Sequence, residues 1–300
     1  MTVIALQRLI SELGEEINDP EEETFLLFSQ DLPSQDLGFV DAKATSLDIT
    51  LSGRDLNIIQ SPGLLSSNRT GGTTGAVVWK ITPLFAEWIA LEENVLFRSS
   101  VLDRQSTVLE LGCGISGIVA IASSPRVGRY VATDQEYVFK WLKPNIQNNA
   151  PKSISFNKVK QHGKIPGFDP MSNNILIMAL DWESSSVSEL PEIIGINSRD
   201  NVQSINAVIA CDCIYNEALI EPMVRTCAEI CQLPNASTLG KATVCIIAQQ
   251  LRSDVVFGAW LFAFHKTFRV WRVPDDLLLR ELREGSGFVI HVGILREKHT

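Results

Sequence analysis

The sequence predicts an α/β protein built on a mostly parallel sheet, and three observations lead there. From Thr107 onward, short apolar runs alternate with helical patterns. Such alternation implies parallel strands with helices on both faces. The apolar run 108–111 leads straight into Gly112-Cys113-Gly114-Ile115-Ser116-Gly117 and then an apolar helix pattern at 118–122. This reads as a buried strand, a tight turn and a helix N-terminus. Glycine serves there because the backbone must adopt angles closed to other residues, or let a ligand approach closely. Polar or aromatic residues stand at four strand ends: Glu110, Asp134, Asp181-Trp182 and Asp212. Ligands of open α/β sheets bind at these ends.

Residues 1 to about 20 place Val3, Leu6, Leu9, Ile10, Leu13 and Ile17 at helical spacing, an amphipathic helix. Acidic residues cluster from Glu12 to Glu23, as a solvated face or a dock for a basic partner. Residues 46–60 alternate apolar and polar around Ser52-Gly53-Arg54-Asp55, a β-hairpin. A glycine-rich stretch, Thr70-Gly71-Gly72-Thr73-Thr74-Gly75, reads as flexible and leads to Ala76-Val77-Val78-Trp79. Pro83 suits the first turn of the following helix, whose buried side includes Leu84, Phe85, Trp88 and Ile89.

Strands are expected at 108–111, 130–133, 174–180, 207–211, 243–248, 268–273 and 288–295. Helices are expected at 117–123, 136–149, 217–232 and 254–266, with Pro144 kinking or breaking the second. The last two strands lack a crossover between them, which predicts an antiparallel hairpin at the sheet edge. Segments 151–173 and 184–204, rich in Ser, Asn, Lys and Gly, read as rim loops. The chain divides into an extension at 1–70, of helix and hairpin, and a sheet domain at 71–300.

Composition narrows the function. Hydrophobic residues make up 45% and charged residues 20%, as in soluble globular proteins. No apolar run approaches the roughly 20 residues of a membrane span, and no export signal is evident. Cys113, Cys211, Cys213, Cys227, Cys231 and Cys245 lie mostly in apolar patterns, as buried thiols of a reducing compartment. No C-x-x-C occurs and the four histidines are scattered, so no metal site is expected. A net charge of −9 disfavours broad binding to a phosphate backbone and suits a basic partner, or plain solubility.

Gly112, Gly114 and Gly117 fit G-x-G-x-x-G, a pattern common to dinucleotide and S-adenosylmethionine (SAM) sites. Glu110, two residues before Gly112, would repel a pyrophosphate but suits the sulfonium and amino group of SAM. Asp134 falls about 20 residues on, where an acid accepts ribose hydroxyls in either cofactor class. Trp182 can lie against a purine, and Cys211 presents little bulk beneath it. A nicotinamide-dependent oxidoreductase shares the glycine turn and Asp134, but has no use for Glu110.

Gly75-Ala76-Val77-Val78-Trp79, Leu109-Glu110-Leu111-Gly112-Cys113-Gly114, Leu180-Asp181-Trp182 and Asp212-Cys213-Ile214-Tyr215 occur in this order. Together they resemble the seven-strand, SAM-dependent protein methyltransferases of the lysine methyltransferase "family sixteen" group, over roughly residues 70–295. The Asp-x-x-Tyr motif is the most diagnostic. The resemblance implies a Rossmann-like, seven-strand class I methyltransferase sheet, mostly parallel with an antiparallel edge strand. It implies cofactor contacts from Trp79, Glu110, Gly112, Cys113, Gly114, Asp134, Trp182 and Cys211. Asp212 and Tyr215 would face the incoming lysine. The implied substrate is a protein with an exposed lysine, and similarity to fungal members points to a large-subunit ribosomal protein of the L1 type. The alternatives are another non-histone protein, such as a chaperone or elongation factor, and an inactive SAM-binding scaffold. A cytoplasmic or nuclear monomer, without direct nucleic-acid or membrane binding, completes the expectation.

Overall fold

The computed structural model describes residues 2–33, 37–69, 72–151, 169–170, 174–194, 204–233 and 242–297. Its strands are β1 (Ser46–Leu51), β2 (Arg54–Ile59), β3 (Thr107–Leu111), β4 (Arg129–Asp134), β5 (Asp169–Pro170), β6 (Ile175–Ala179), β7 (Ala207–Cys211), β8 (Val244–Gln250), β9 (Phe268–Arg272) and β10 (Phe288–Leu295). The first two pair with each other. The rest form one sheet in the order β5-β6-β4-β3-β7-β8-β10-β9. The five strands from β6 to β8 run parallel, and β10 runs antiparallel to β8 and β9. Setting aside the two-residue β5, this is the expected seven-strand, mostly parallel sheet. The antiparallel hairpin sits at the expected edge, with the chain's last strand in its inner place.

Alternating side chains send the sheet's apolar residues into two layers. On one face Val108, Ile209 and Ile246 join Phe85, Trp88 and Ile118. On the other, Leu109, Val208 and Ile247 join Met223, Trp260 and Phe264. Every residue of β3 and β7 is buried, as central parallel strands require. The connections run one way from β3 through β4 to β6, and the other way through β7 and β8. The order therefore reverses between β3 and β7, the switch point at whose carboxyl ends open α/β sheets form their ligand crevice. The glycine turn and Asp212 both lie there.

The first 70 residues pack onto this frame. The β1–β2 loop is Ser52-Gly53 with φ +49 and +73, the positive pair a tight hairpin needs. Leu9, Leu13, Leu56 and Ile58 share the first core layer. The amphipathic helix expected over 1–20 stops at Leu13, because Gly14 takes φ +80 and the chain turns away. A second helix, Pro20–Phe28, begins behind Asp19, whose carboxylate caps Glu21 and Glu22 N–H. Much of the acidic run is engaged within the molecule. Glu12 pairs with Arg98, Glu16 with Arg269 and Arg296, and Glu23 with Arg272 and His291.

Helix Phe139–Asn149 continues through Pro144, so of the kink or break expected there the break does not occur. Strand β8 runs two residues beyond the expected 248, because Gln249 and Gln250 stay paired with β10 despite their polarity. All six cysteines are free thiols. Of the expected rim loops, 152–168, 171–173 and 195–203 lie outside the described residues, as do Thr70 and Gly71 of the glycine-rich stretch.

Candidate functional site

The glycine turn hangs from the end of the neighbouring strand. Asp134, last residue of β4, accepts the Gly114 N–H at 2.8 Å through Oδ2 and the Gln135 N–H at 2.7 Å through Oδ1. Cys113 N–H donates to the Thr133 carbonyl at 3.0 Å. Gly112 and Gly114 take φ +66 and +62, which favour glycine. A Cβ on Gly112 would stand 2.8 Å from Cys213 Sγ and 3.1 Å from Trp182 Cζ2. The Trp182 ring and the Cys213 thiol therefore close on the turn. The Cys113 side chain is buried in the first core layer.

Residues 73–76 lie across this turn. Gly75 C=O accepts the Ile115 N–H at 2.9 Å, and Gly114 would meet the same carbonyl if it carried a Cβ. Trp79 Nε1 donates to Thr74 C=O at 3.1 Å, so the indole ring is fixed by the loop it terminates. Arg69 donates to Gly72 C=O and Gln135 Oε1, each at 3.0 Å, and covers the Tyr137 ring at 4.0 Å.

Burial sets the electrostatics. Glu110 lies inside β3, with its carboxyl accepting the Tyr130 hydroxyl at 2.9 Å. Loss of water pushes its pKa up to about 8. The Tyr130 bond opposes that rise, and the nearby Asp134 charge adds to it. Burial likewise pushes Asp134 up to about 6, against its two backbone N–H bonds and the Arg69 charge. Two carboxyl groups thus stand beside the turn, and among the described residues neither has an ion pair, although the Arg69 charge acts on Asp134. A sulfonium and an ammonium supply what they lack, and Asp134 is an acceptor suited to a ribose diol. The residues fit SAM.

Across the crevice, Asp212 follows β7 with φ +59, one of three non-glycine residues in this conformation among the described residues. Its side chain is fully buried and gripped by Arg252, which donates from Nη1 to Oδ1 at 2.7 Å and from Nη2 to Oδ2 at 2.6 Å. Tyr215, three residues on, is 40% exposed. Burial of its ring raises its pKa, and a hydrogen bond with Thr74 opposes this. Its hydroxyl would lie 3.6 Å from a Cβ on Gly72. Tyr215 thus faces the 72–75 loop from the β7 side. No hydrogen bond joins Asp212 to Tyr215 among the described residues. Cys211 is buried at the end of β7 beneath the crevice, its thiol raised by burial.

The structure therefore gathers Glu110, Gly112, Gly114, Asp134 and Trp182 around one turn, and links Trp79 to it through Thr74. It sets Asp212 apart, below the surface. The sequence reading missed Arg252, Arg69 and Tyr137. Arg252 stands just past a strand end, the same signal that marked the other candidates, but β8 reads as ending at 248. Arg69 and Tyr137 carry no local signal, because each acts across loops.

A family model described as lysine methyltransferase matches residues 58–254. A Zygosaccharomyces rouxii protein named ribosomal lysine N-methyltransferase 5 is 32% identical, over 66% of this chain and 66% of that protein. A Vanderwaltozyma polyspora protein of the same name is 27% identical, over 91% of this chain and 94% of that one. A Schizosaccharomyces pombe protein named diaminohydroxyphosphoribosylamino-pyrimidine deaminase is 29% identical, over 90% of this chain but 56% of its own length. The chain thus spans about two thirds and about half of the first and last of these relatives. The family match covers the glycine turn and the strand ends together: this chain belongs to the lysine methyltransferase family, whose methyl donor is S-adenosylmethionine.

Proposed function

We propose that the chain methylates a lysine of a ribosomal protein, in the large subunit and of the L1 type. The observation that carries this is the family match across 58–254, supported by relatives named for ribosomal lysine methylation. Residues 71–300 are read as the transferase and 1–70 as an extension that supports it. The enzyme would act as a monomer in the cytoplasm or nucleus, on protein rather than nucleic acid.

Bound SAM supplies a methyl group already activated on sulfur. The chain's residues supply binding, orientation and a route for a proton. Gly112, Cys113 and Gly114 offer backbone to the methionine part, with Glu110 beneath. Asp134 accepts the ribose hydroxyls. Trp182 and Cys211 border the adenine, and Trp79 closes the site from the 74–79 segment. A lysine amine has a pKa near 10.4, so freeing its lone pair at pH 7 costs about 4–5 kcal/mol. Proton loss to water before closure meets that requirement without a dedicated base. Tyr215, exposed at the mouth, holds the amine in line, while Asp212 fixes the loop that carries Tyr215. Alignment of this kind contributes roughly 7–11 kcal/mol in favourable intramolecular cases.

The test is labelled SAM with ribosomes from fungal cells lacking this activity, comparing wild type with Asp212→Ala and identifying labelled bands by mass spectrometry. The expected result is one ribosomal protein with a methylated lysine, absent with the variant, and S-adenosylhomocysteine binding kept within about threefold. Label on a chaperone or elongation factor would move the substrate. Tight S-adenosylhomocysteine binding with no label anywhere would indicate a scaffold.

A further inference from the structure

Arg252 makes more contacts at the strand ends than its fork to Asp212. Nη2 also donates to Gln250 Oε1 at 2.8 Å, and Nε donates to the Leu37 carbonyl at 3.3 Å. The guanidinium carbon lies 4.9 Å from the centre of the Trp79 ring. Leu37 belongs to the extension, and residues 37–40 run along 78–80. Val40 N–H donates to Val78 C=O at 3.0 Å, and Lys80 N–H donates to Gly38 C=O at 2.8 Å. The Phe39 and Trp79 rings sit 4.5 Å apart. Gly38 takes φ +88, and a Cβ there would overlap Gln250 Oε1 and stand 2.5 Å from Arg252 Nη2. The extension's backbone thus presses against the Arg252 side chain that grips Asp212 and the Gln250 side chain bonded to it.

This arrangement suits methyl transfer to an amine. A bare carboxylate near an incoming ammonium would stabilise the charged form and oppose the deprotonation that attack requires. A bidentate guanidinium compensates that charge and fixes the plane of the carboxylate. The Asp212 backbone, at φ +59, sets the direction of the 213–216 loop. An Asp212 that shifted would carry Tyr215 with it.

We propose that Arg252 is a positioning residue of the transferase and that residues 37–40 of the extension are the strap that holds it. Together they fix Asp212, and through it the loop bearing Tyr215, for the incoming lysine. This rests on the reading of Asp212 and Tyr215 as the substrate side of the site. It gives the extension a role in the chemistry that its distance in sequence conceals.

The test compares wild type, Arg252→Ala, Arg252→Lys and Gly38→Ala on ribosomal large subunits from cells lacking the enzyme. It measures kcat, KM and S-adenosylhomocysteine affinity. Arg252→Ala should lower kcat about 100-fold, the scale of a misplaced reacting group, with cofactor affinity within about threefold. Arg252→Lys keeps the charge without the fork and should restore part of the rate. Gly38→Ala keeps the Arg252 guanidinium but forces it, Gln250 or the strap to shift, and should lower kcat about tenfold at similar cofactor affinity. A folded Arg252→Ala with wild-type kcat would overturn the proposal, as would cofactor affinity falling in parallel with kcat. Should wild type label no ribosomal protein, the substrate reading fails instead, and hydrogen exchange decides the strap. Gly38→Ala should then speed exchange at 212–216 while 112–117 stays protected. Unchanged exchange at 212–216 would overturn the strap.

Discussion

The two sides of the crevice treat buried carboxyl groups in opposite ways. On the β3–β4 side, Glu110 is buried and Asp134 partly buried, with no ion pair to either among the described residues, and loss of water raises both. On the β7–β8 side, Asp212 is as deeply buried but carries its own counter-charge in Arg252. The first side can take a cationic ligand, which would favour the ionised form of both acids. The second is already neutral as a pair, and does not call for one. Under the proposed function the sulfonium cofactor takes the first side, and the lysine, arriving without its proton, takes the second.

Glu110 gives the largest expected departure from symmetry between the sides. Below about pH 4.5 Glu110 is protonated folded or unfolded and does not affect stability. Between there and about pH 8 the unfolded carboxyl ionises while the folded one keeps its proton, so stability falls as pH rises. The loss reaches a few kcal/mol, at about 1.4 kcal/mol per unit. Glu110→Gln should remove this slope in urea titrations from pH 5 to 8, becoming more stable than wild type at the upper end, and should bind SAM more weakly. A slope unchanged in the variant would move its origin elsewhere.

Asp212→Ala should cost about 3 kcal/mol, the low end for breaking a buried ion pair, since Arg252 retains some exposure. Urea unfolding reads this directly. A cost under about 1 kcal/mol would mean that the pair does not hold the β7–β8 side. Gly117→Ala should cost about 2 kcal/mol, because φ is +62 and the new Cβ would stand 2.7 Å from Ile146 Cγ1. The smallest stability effect should come from Tyr215→Phe, within about 0.5 kcal/mol for a substitution at a half-exposed site. Its kcat should nonetheless fall, with SAM affinity unchanged. A fall in SAM affinity instead would assign Tyr215 to the cofactor side.

The cofactor side was far more legible in the sequence than the substrate side. Gly112, Gly114 and Asp134 stand within one strand–turn–helix–strand unit, so their spacing encodes their meeting. The hairpin at Ser52-Gly53 was equally local. The stop at Gly14 escaped notice because the apolar spacing of Leu13 and Ile17 continues past it, although Ile17 N–H is bonded to the Val270 carbonyl on β9. Helix Pro20–Phe28 was hidden by its own acidity. Its Glu23 faces inward, where burial would raise its pKa but the His291 hydrogen bond and the His291 and Arg272 charges lower it. A partner 268 residues away in sequence, as His291 is, leaves no mark on a local pattern.

By itself the sequence determined what periodicity and steric rules decide within about 20 residues: the alternation of strand and helix, the glycine turn, and the acids at the strand ends. Tertiary structure alone decided which of those acids is charge-compensated. The strand order brings Arg252 at the end of β8 beside Asp212 at the end of β7, and residues 37–40 beside Arg252. Electrostatic environment depends on what is near in space and on what excludes water. Neither is a property of any short stretch of chain.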